Sequence, residues 1–410
     1  MNLRLTPTPL QGTVTVPASK SMSHRMVIGA ALCESGESVI DNLSLSEDIS
    51  ATLKAVEALG ASFELSGSRA VIRGGRRGGA PLLDCGESGS TLRFLIPIAL
   101  ALTGGASFTG HGRLMERPLD TYYDLFDRKG ISHRLEDGVL TVKGTLTGGE
   151  FALSGAVSSQ FITGLLYALP LLKEDSRIVI TDTLSSKAYV DMTLEALKAF
   201  GIRVEQQGLC FLIPGGQRYC PRSLSVEGDY SQAAFFLAAN FIGSTVTLSG
   251  LNPDSLQGDR AAEDILRSFQ SSGEVEVDAD PVPDLIPALA AAAAFRPGGI
   301  TRFVNAGRLR IKESDRIAST AAMLRALGAR VQEGSDSLTV FGSDSLSGDC
   351  APVDCQNDHR IAMAAAAASC GCQSPVTLLG AACVKKSYPR FWDDFRSLGG
   401  KTEQLPERTI

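Results

Sequence analysis

The stretch "MTLEALKAFGIRVEQ", residues 192–206, decides the fold. Met192, Leu197 and Phe200 recur at helical spacing with Glu195 and Lys198 between them, which predicts an amphipathic helix. Gly201 then ends it, because glycine readily takes the left-handed conformation that closes a helix. Ile202 and Val204 alternate with charged residues beyond it, the mark of a strand. The same succession appears five more times, as "ISATLKAVEALGASFEL", "YYDLFDRKGISHRL", "DILRSFQSSGEVEV", "ASTAAMLRALGARVQ" and "FWDDFRSLGGK". The stop glycines Gly60, Gly130, Gly201, Gly273, Gly328 and Gly399 are spaced by 70, 71, 72, 55 and 71 residues. A fixed period of this kind is the signature of a repeated module.

A second helix type alternates with the first and is apolar nearly all round, so it is buried. Its six members are "SKSMSHRMVIGAAL", "GESGSTLRFLIPIALAL", "VSSQFITGLLYALPLL", "GDYSQAAFFLAANFI", "VPDLIPALAAAAAF" and "NDHRIAMAAAAAS". Strand-like segments such as "GVLTVKG", "SRIVITD" and "SLTVFG" lie between the helices. The reading is α/β: six strand-and-helix modules, three to a domain, with the apolar helices inside and the sheets and amphipathic helices outside. The Gly- and Pro-bearing stretch at residues 213–228 marks the boundary.

With 410 residues the chain exceeds one ordinary core, in keeping with two domains. It is 44% hydrophobic and 20% charged, the balance of a globular protein. Its longest apolar runs fall short of the roughly 18 residues of a membrane span. The start "MNLRLTPTPLQG" lacks a signal-peptide layout, and nine cysteines without a framework spacing fit a reducing compartment, so a cytoplasmic protein is expected. The C-x-C of Cys370 and Cys372 has no second ligand pair to make a metal site. A net charge of −6 argues against a nucleic-acid surface and leaves anion binding to local clusters.

Such clusters open the apolar helices, where free N–H groups and the helix dipole favour anions. Lys20, Ser21 and Arg25 open the first; Gly89, Ser90 and Arg93 the second; Ser158, Ser159 and Gln160 the third; His359 and Arg360 the sixth. Taken singly, each reads as well as a plain cap, and Arg117 or Lys386 as a solvated charge. Together, in a net-acidic chain, they point to anionic ligands. "GRLRIKESDR" adds Arg308, Lys312, Glu313 and Arg316, and "LSSKAYVD" adds Ser186 and Tyr189. Asp284, ahead of a wholly apolar helix, is either an N-cap or a general base.

The series "SKSMSHR", "CGESGSTLR", "MERPL", "SSQF", "SSKAY", "PDLIPAL", "RLRIKESDR", "NDHRIAM" and "KKSYP" closely resembles the EPSP synthase family of enolpyruvyl transferases over essentially the whole chain. The resemblance implies a two-domain inside-out α/β barrel of six βαβαββ units with a cleft that closes on substrates. It places residues 13–224 in one domain and residues 1–12 with 225–410 in the other. The activity implied is transfer of the enolpyruvyl group of phosphoenolpyruvate to the 5-hydroxyl of shikimate 3-phosphate, a step of aromatic amino acid biosynthesis, by a monomer with no metal or organic cofactor. Binding of shikimate 3-phosphate falls to Lys20, Ser21, Arg25, Ser158, Ser159, Gln160, Ser186, Tyr189, Asp284, Arg308 and Lys312. Phosphoenolpyruvate falls to Lys20, Gly89, Ser90, Arg117, Gln160, Arg316, Arg360 and Lys386.

Addition and elimination through a tetrahedral intermediate is the implied chemistry. Asp284 takes the hydroxyl proton and Glu313 handles the methylene proton, while Lys20, Lys386 and His359 complete the catalytic set. Gly89 matches a position whose small size admits glyphosate. Glu87, Ser90, Ala18 and Arg308 depart from the commoner family residues. The related transferase that acts on UDP-N-acetylglucosamine usually carries a mobile-loop cysteine in the second module, and this chain has none between Ser88 and Phe151.

Overall fold

A computed structural model describes residues 1–76 and 78–406. The chain forms two compact units, residues 18–227 and residues 1–17 with 228 onward, each with its own core.

In the N-terminal unit the apolar helices are α1 (Lys20–Ala31), α3 (Gly89–Thr103) and α5 (Ser159–Ala168), alternating with the amphipathic α2 (Glu47–Ala58), α4 (Asp120–Lys129) and α6 (Lys187–Ala199). In the C-terminal unit the apolar set is α7 (Tyr230–Ile242), α9 (Ile286–Ala293) and α11 (His359–Ser369). The amphipathic set there is α8 (Ala262–Ser268), α10 (Arg316–Ala326) and α12 (Phe391–Ser397). The first residues of five of these six apolar helices are tied down by side-chain caps. Ser19, Ser88, Ser158, Asp229 and Asp358 accept backbone N–H groups at the starts of α1, α3, α5, α7 and α11. Ser19, not Ser21, is therefore the cap of the first helix, and Ser21 lies within its first turn.

The second module shows the unit clearly. Strands Leu82–Asp84 and Gly105–Thr109 pair in parallel across α3, and a hairpin of Ser132–Glu136 and Val139–Lys143 returns antiparallel after α4. A parallel pair needs a crossover, and the apolar helix supplies it on the inner face. Among the described residues, five of the six sheets have four strands in this order and one has two. The fourth module is the short one: Thr245–Ser249 pairs only with Gln11–Thr15, and the chain runs from α8 into the first strand of the next module with no hairpin. That omission accounts for the 55-residue interval, and it leaves residues 269–272 between the end of α8 and Gly273. All six stop glycines have positive φ, from 67° at Gly130 to 115° at Gly60.

Strands are exchanged at the unit boundaries. Asn2–Thr6 completes the last sheet beside Lys401–Leu405 and Val376–Leu379, and Gln11–Thr15 supplies the parallel strand of the fourth module. Ser223–Ser225 pairs in parallel with Glu37–Asp41 of the first module. Division at residues 12 and 224 would cut into both Gln11–Thr15 and Ser223–Ser225. The contacts within each unit divide the chain instead at 17 and 227.

Two glycines set the helix approaches that matter for the site. A Cβ on Gly29 would stand 2.4 Å from the ring of Phe200, so α1 lies tightly on the C-terminal end of α6. On Gly164 it would stand 2.5 Å from the Arg93 carbonyl and 2.4 Å from the Tyr122 hydroxyl, which brings α5 close against α3.

Candidate active site

In the N-terminal unit these close approaches gather the helix starts. Arg25, buried, donates from Nε to Thr193 Oγ1 at 3.0 Å, from Nη1 to Ser21 O at 2.7 Å and from Nη2 to Tyr189 O at 2.8 Å. Tyr189 thus meets Arg25 through its carbonyl oxygen. Burial lowers the Arg25 pKa to about 10, so it stays charged at neutral pH. Arg93 donates to Gln160 Oε1 at 2.7 Å and to Pro118 O at 3.0 Å, and Gln160 Nε2 donates to Ser90 Oγ at 3.0 Å. The Arg117 guanidinium lies against Gly89, where a Cβ would be only 2.6 Å from Nη1. Lys20 Nζ pairs with Asp48 at 2.8 Å. Ser158 caps α5, Ser159 follows it, and Ser186 stands at the start of α6 with a left-handed φ of 53°. Left-handed non-glycine residues are uncommon and cluster at functional sites. Glu87 packs its carboxylate against Gly112.

The C-terminal unit holds a different kind of cluster. Asp284 is not an N-cap: α9 begins at Ile286 with no side-chain cap. Its Oδ1 accepts from Arg316 Nη1 at 2.8 Å and its Oδ2 from Arg360 Nη2 at 2.9 Å, with Lys312 Nζ at 4.0 Å. Arg316, 1% exposed, also donates from Nη2 to Glu313 at 2.7 Å and from Nε to the fully buried Asp358 at 2.8 Å. Arg360 reaches further, to Asp284 O at 3.0 Å and Ser231 Oγ at 3.1 Å. Three cations therefore face three carboxylates. Burial alone would push the Asp284 carboxyl up, but Arg360, Lys312 and Arg316 outweigh it and hold it well below the usual carboxylate range. Burial lowers Lys312 to about 8, with Arg316 and Arg308 adding to the effect against Asp284. Burial likewise disfavours the Arg316 charge, but Asp358, Glu313 and Asp284 more than restore it.

Arg308 pairs with Asp280 at 3.1 Å, His359 opens α11 in a buried position, and Lys386 Nζ donates to Asn357 O at 2.6 Å. Gln356 and Asn357 both carry left-handed φ, 51° and 52°, and this turn presents the Asn357 carbonyl to Lys386. Asp48, Ser231, Ser314 and Asp358 also touch these groups, and nothing in the sequence marks them for that part. Asp358 was legible only as a cap in "NDHR"; that it also takes Arg316 and the Ser314 hydroxyl follows from the packing of α10 on α11.

Among the described residues no helix is long and apolar enough to cross a membrane. The profile of the EPSP synthase family (3-phosphoshikimate 1-carboxyvinyltransferase) matches residues 5–395. The 3-phosphoshikimate 1-carboxyvinyltransferase of Clostridium kluyveri is 45% identical over 98% of each chain. Its namesake from Clostridium perfringens is 43% identical over 97% of this chain and 98% of that one. A solved structure of EPSP synthase from Acinetobacter baumannii superposes with a TM-score of 0.79 at 26% identity, covering 98% of this chain and 100% of that one. The fold, the matched profile and the full-length relatives agree: the chain belongs to the EPSP synthase family.

Proposed function

We propose that the chain transfers the enolpyruvyl group of phosphoenolpyruvate to the 5-hydroxyl of shikimate 3-phosphate and releases phosphate. The observation that carries this reading is Asp284, an ionised carboxylate held by Arg316 and Arg360 with Lys312 beside it. Clamped in this way it is a weak base. Anions of the substrates compete for the same guanidinium donors, and each donor drawn off raises the basicity of Asp284 at the moment a hydroxyl is present.

In the addition half, the 5-hydroxyl oxygen bonds to C2 of phosphoenolpyruvate, its proton passes to Asp284, and Glu313 delivers a proton to the methylene carbon. In the elimination half that carbon returns a proton to Glu313 as the C2–O bond to phosphate breaks, and the proton held by Asp284 leaves on the departing phosphate, which restores both carboxylates. Lys20 and Lys386 offset the charge that develops, and His359 stands by the same helix start as Arg360. Arg25 with Ser158, Ser159 and Ser186 takes the phosphate and hydroxyls of shikimate 3-phosphate. Arg117, Arg316 and Arg360 take the phosphate and carboxylate of phosphoenolpyruvate, whose planar anionic groups suit the guanidinium fork. The same reading makes the protein a cytoplasmic monomer that engages neither nucleic acid nor membrane.

A phosphate-release assay with phosphoenolpyruvate tests it. Release is expected on adding shikimate 3-phosphate and not on adding UDP-N-acetylglucosamine; the reverse pattern, or no release with either, overturns the reading.

A further inference from the structure

We propose that His24 is a positioning residue: its neutral ring, protonated on Nδ1, heads a buried chain of hydroxyls through Thr52 and Thr91 that orients the first turn of α3 for phosphoenolpyruvate. The proposal rests on the reading above for its substrate. The chain itself rests on geometry.

His24 is fully buried in α1, edge-on to Phe94 with ring centroids 6.4 Å apart. Its Nδ1 lies 2.7 Å from Thr52 Oγ1 on α2, and Thr52 Oγ1 lies 2.6 Å from Thr91 Oγ1 on α3. Thr91 Oγ1 in turn donates to Ser88 Oγ at 2.8 Å, and Ser88 is the N-cap of α3, accepting also from Thr91 N. Three hydrogen bonds thus link helices α1, α2 and α3 inside one unit.

Counting protons fixes the tautomer. The Thr91 hydroxyl proton goes to Ser88. The 2.6 Å contact between the two threonines then needs the proton of Thr52, since two bare oxygens at that distance repel. Thr52 also approaches Asp48 O at 3.3 Å, the longest of its three contacts and the weakest claim on that proton. With the Thr52 proton committed, the 2.7 Å contact to His24 is a hydrogen bond only if Nδ1 carries the hydrogen. The other ring nitrogen, Nε2, is buried without a hydrogen-bond partner among the described residues. Lys20 and Arg25 lie on either side in sequence, and their charge disfavours a second proton on the ring. Burial first, then these two cations, hold the imidazole pKa well below its usual value.

The far end of the chain is where this matters. Ser88 fixes Gly89, which lies under the Arg117 guanidinium, and Ser90, which accepts from Gln160. A ring that lets Thr52 turn lets Thr91 and the Ser88 cap turn with it. Removing the outer partners of metal-ligating groups typically costs about 10- to 100-fold in affinity or activity, and the same scale is expected for a phosphoenolpyruvate group oriented in this way.

Nitrogen NMR of the wild-type protein with labelled histidine tests the tautomer directly. The chain has four histidines, so the His24→Asn spectrum assigns the signal. The expected result is a protonated Nδ1 and an unprotonated Nε2 that do not titrate between about pH 5.5 and about 8.5. Kinetics test the function. The asparagine amide places its N–H where Nδ1 was, so His24→Asn is expected to keep kcat/KM for phosphoenolpyruvate near the wild-type value. His24→Gln, whose amide reaches instead to the Nε2 position, and His24→Leu are expected to raise KM for phosphoenolpyruvate about 10- to 100-fold while kcat and shikimate 3-phosphate binding hold. An Nε2-protonated or titrating ring, or glutamine restoring function as well as asparagine, overturns the proposal. Absence of enolpyruvyl transfer in every variant and the wild type overturns the functional reading and the substrate named here, while the nitrogen spectrum still decides the hydroxyl chain.

Discussion

The two units hold their cations in opposite ways. In the N-terminal unit Arg25 donates to a hydroxyl and two carbonyls, and Arg93 to an amide oxygen and a carbonyl. In the C-terminal unit Arg316 and Arg360 donate to Asp284, Glu313 and Asp358. A cation oriented by neutral acceptors keeps its charge for an incoming anion, and its partners do not depend on it electrostatically. A cation set among carboxylates is neutralised until a ligand rearranges the set, and the carboxylates need it. Lys20, paired with Asp48, is the point where the N-terminal unit adopts the second arrangement. The contrast suggests a division between holding substrate and moving protons.

The most severe break should come at Asp284. Asp284→Ala is expected to lower kcat by about 10²- to 10⁴-fold, the range of a lost general base, while shikimate 3-phosphate still binds. Calorimetry of binding beside a steady-state assay separates the two, and near-normal turnover removes the role assigned to this carboxylate. The arginines then set the two units apart. Arg316→Met leaves the fully buried Asp358, and the partly buried Glu313 beside it, without their cation, which should cost about 3–5 kcal/mol of stability. Arg25→Met leaves only neutral acceptors, so its thermal melt should move far less while shikimate 3-phosphate affinity collapses. Equal losses of melting temperature in the two variants would erase the distinction.

Much of this was legible in the sequence because helices announce themselves locally. Alternating helix types and stop glycines mark six modules, and polar residues at the apolar helix starts point to Lys20, Arg25, Ser158, Gln160 and Arg360, whereas Arg117, Lys312, Glu313, Arg316 and Lys386 lie on other segments. What stayed hidden depends on contacts between distant segments. Nothing in "QGTVT" says that it pairs with "TVTLS" more than 200 residues away, so its place in the C-terminal unit is not legible locally. The 55-residue interval was visible, but only the two-stranded sheet explains it as a missing hairpin. Asp284 reads equally well as a cap or a base in the sequence, and only the fold brings Arg316 and Arg360 onto it. The His24, Thr52 and Thr91 chain joins three helices whose sequences carry no mutual signal.

A smaller effect is expected where the N-terminal unit depends on shape alone. Gly89→Ala puts a methyl 2.6 Å from Arg117 Nη1, so the guanidinium must shift. KM for phosphoenolpyruvate should rise about tenfold, equivalent to about 1.4 kcal/mol, with shikimate 3-phosphate binding intact. Unchanged KM would mean that Arg117 does not serve phosphoenolpyruvate from this position.

The subtlest difference between the units is in protons taken up on binding. Lys312 in the C-terminal unit has a pKa lowered to about 8, chiefly by burial, whereas Arg25 at about 10 is already charged throughout the working range. A bound anion favours the ammonium and raises the Lys312 pKa, so binding draws in a proton wherever the free lysine has lost one. That makes uptake about half a proton at pH 8, about a tenth at pH 7 and close to one above pH 9, with affinity falling as pH rises through that window. The free chain obeys the opposite sign: unfolded lysine binds its proton up to a higher pH than the folded one, so this group adds stability as pH rises above 8. Titrating shikimate 3-phosphate at pH 8 in two buffers of different ionisation enthalpy reads the uptake, and Lys312→Met should abolish it. Uptake that survives in Lys312→Met, or none in the wild type at pH 8 to 9, would place the titrating cation elsewhere and leave the two units alike in this respect.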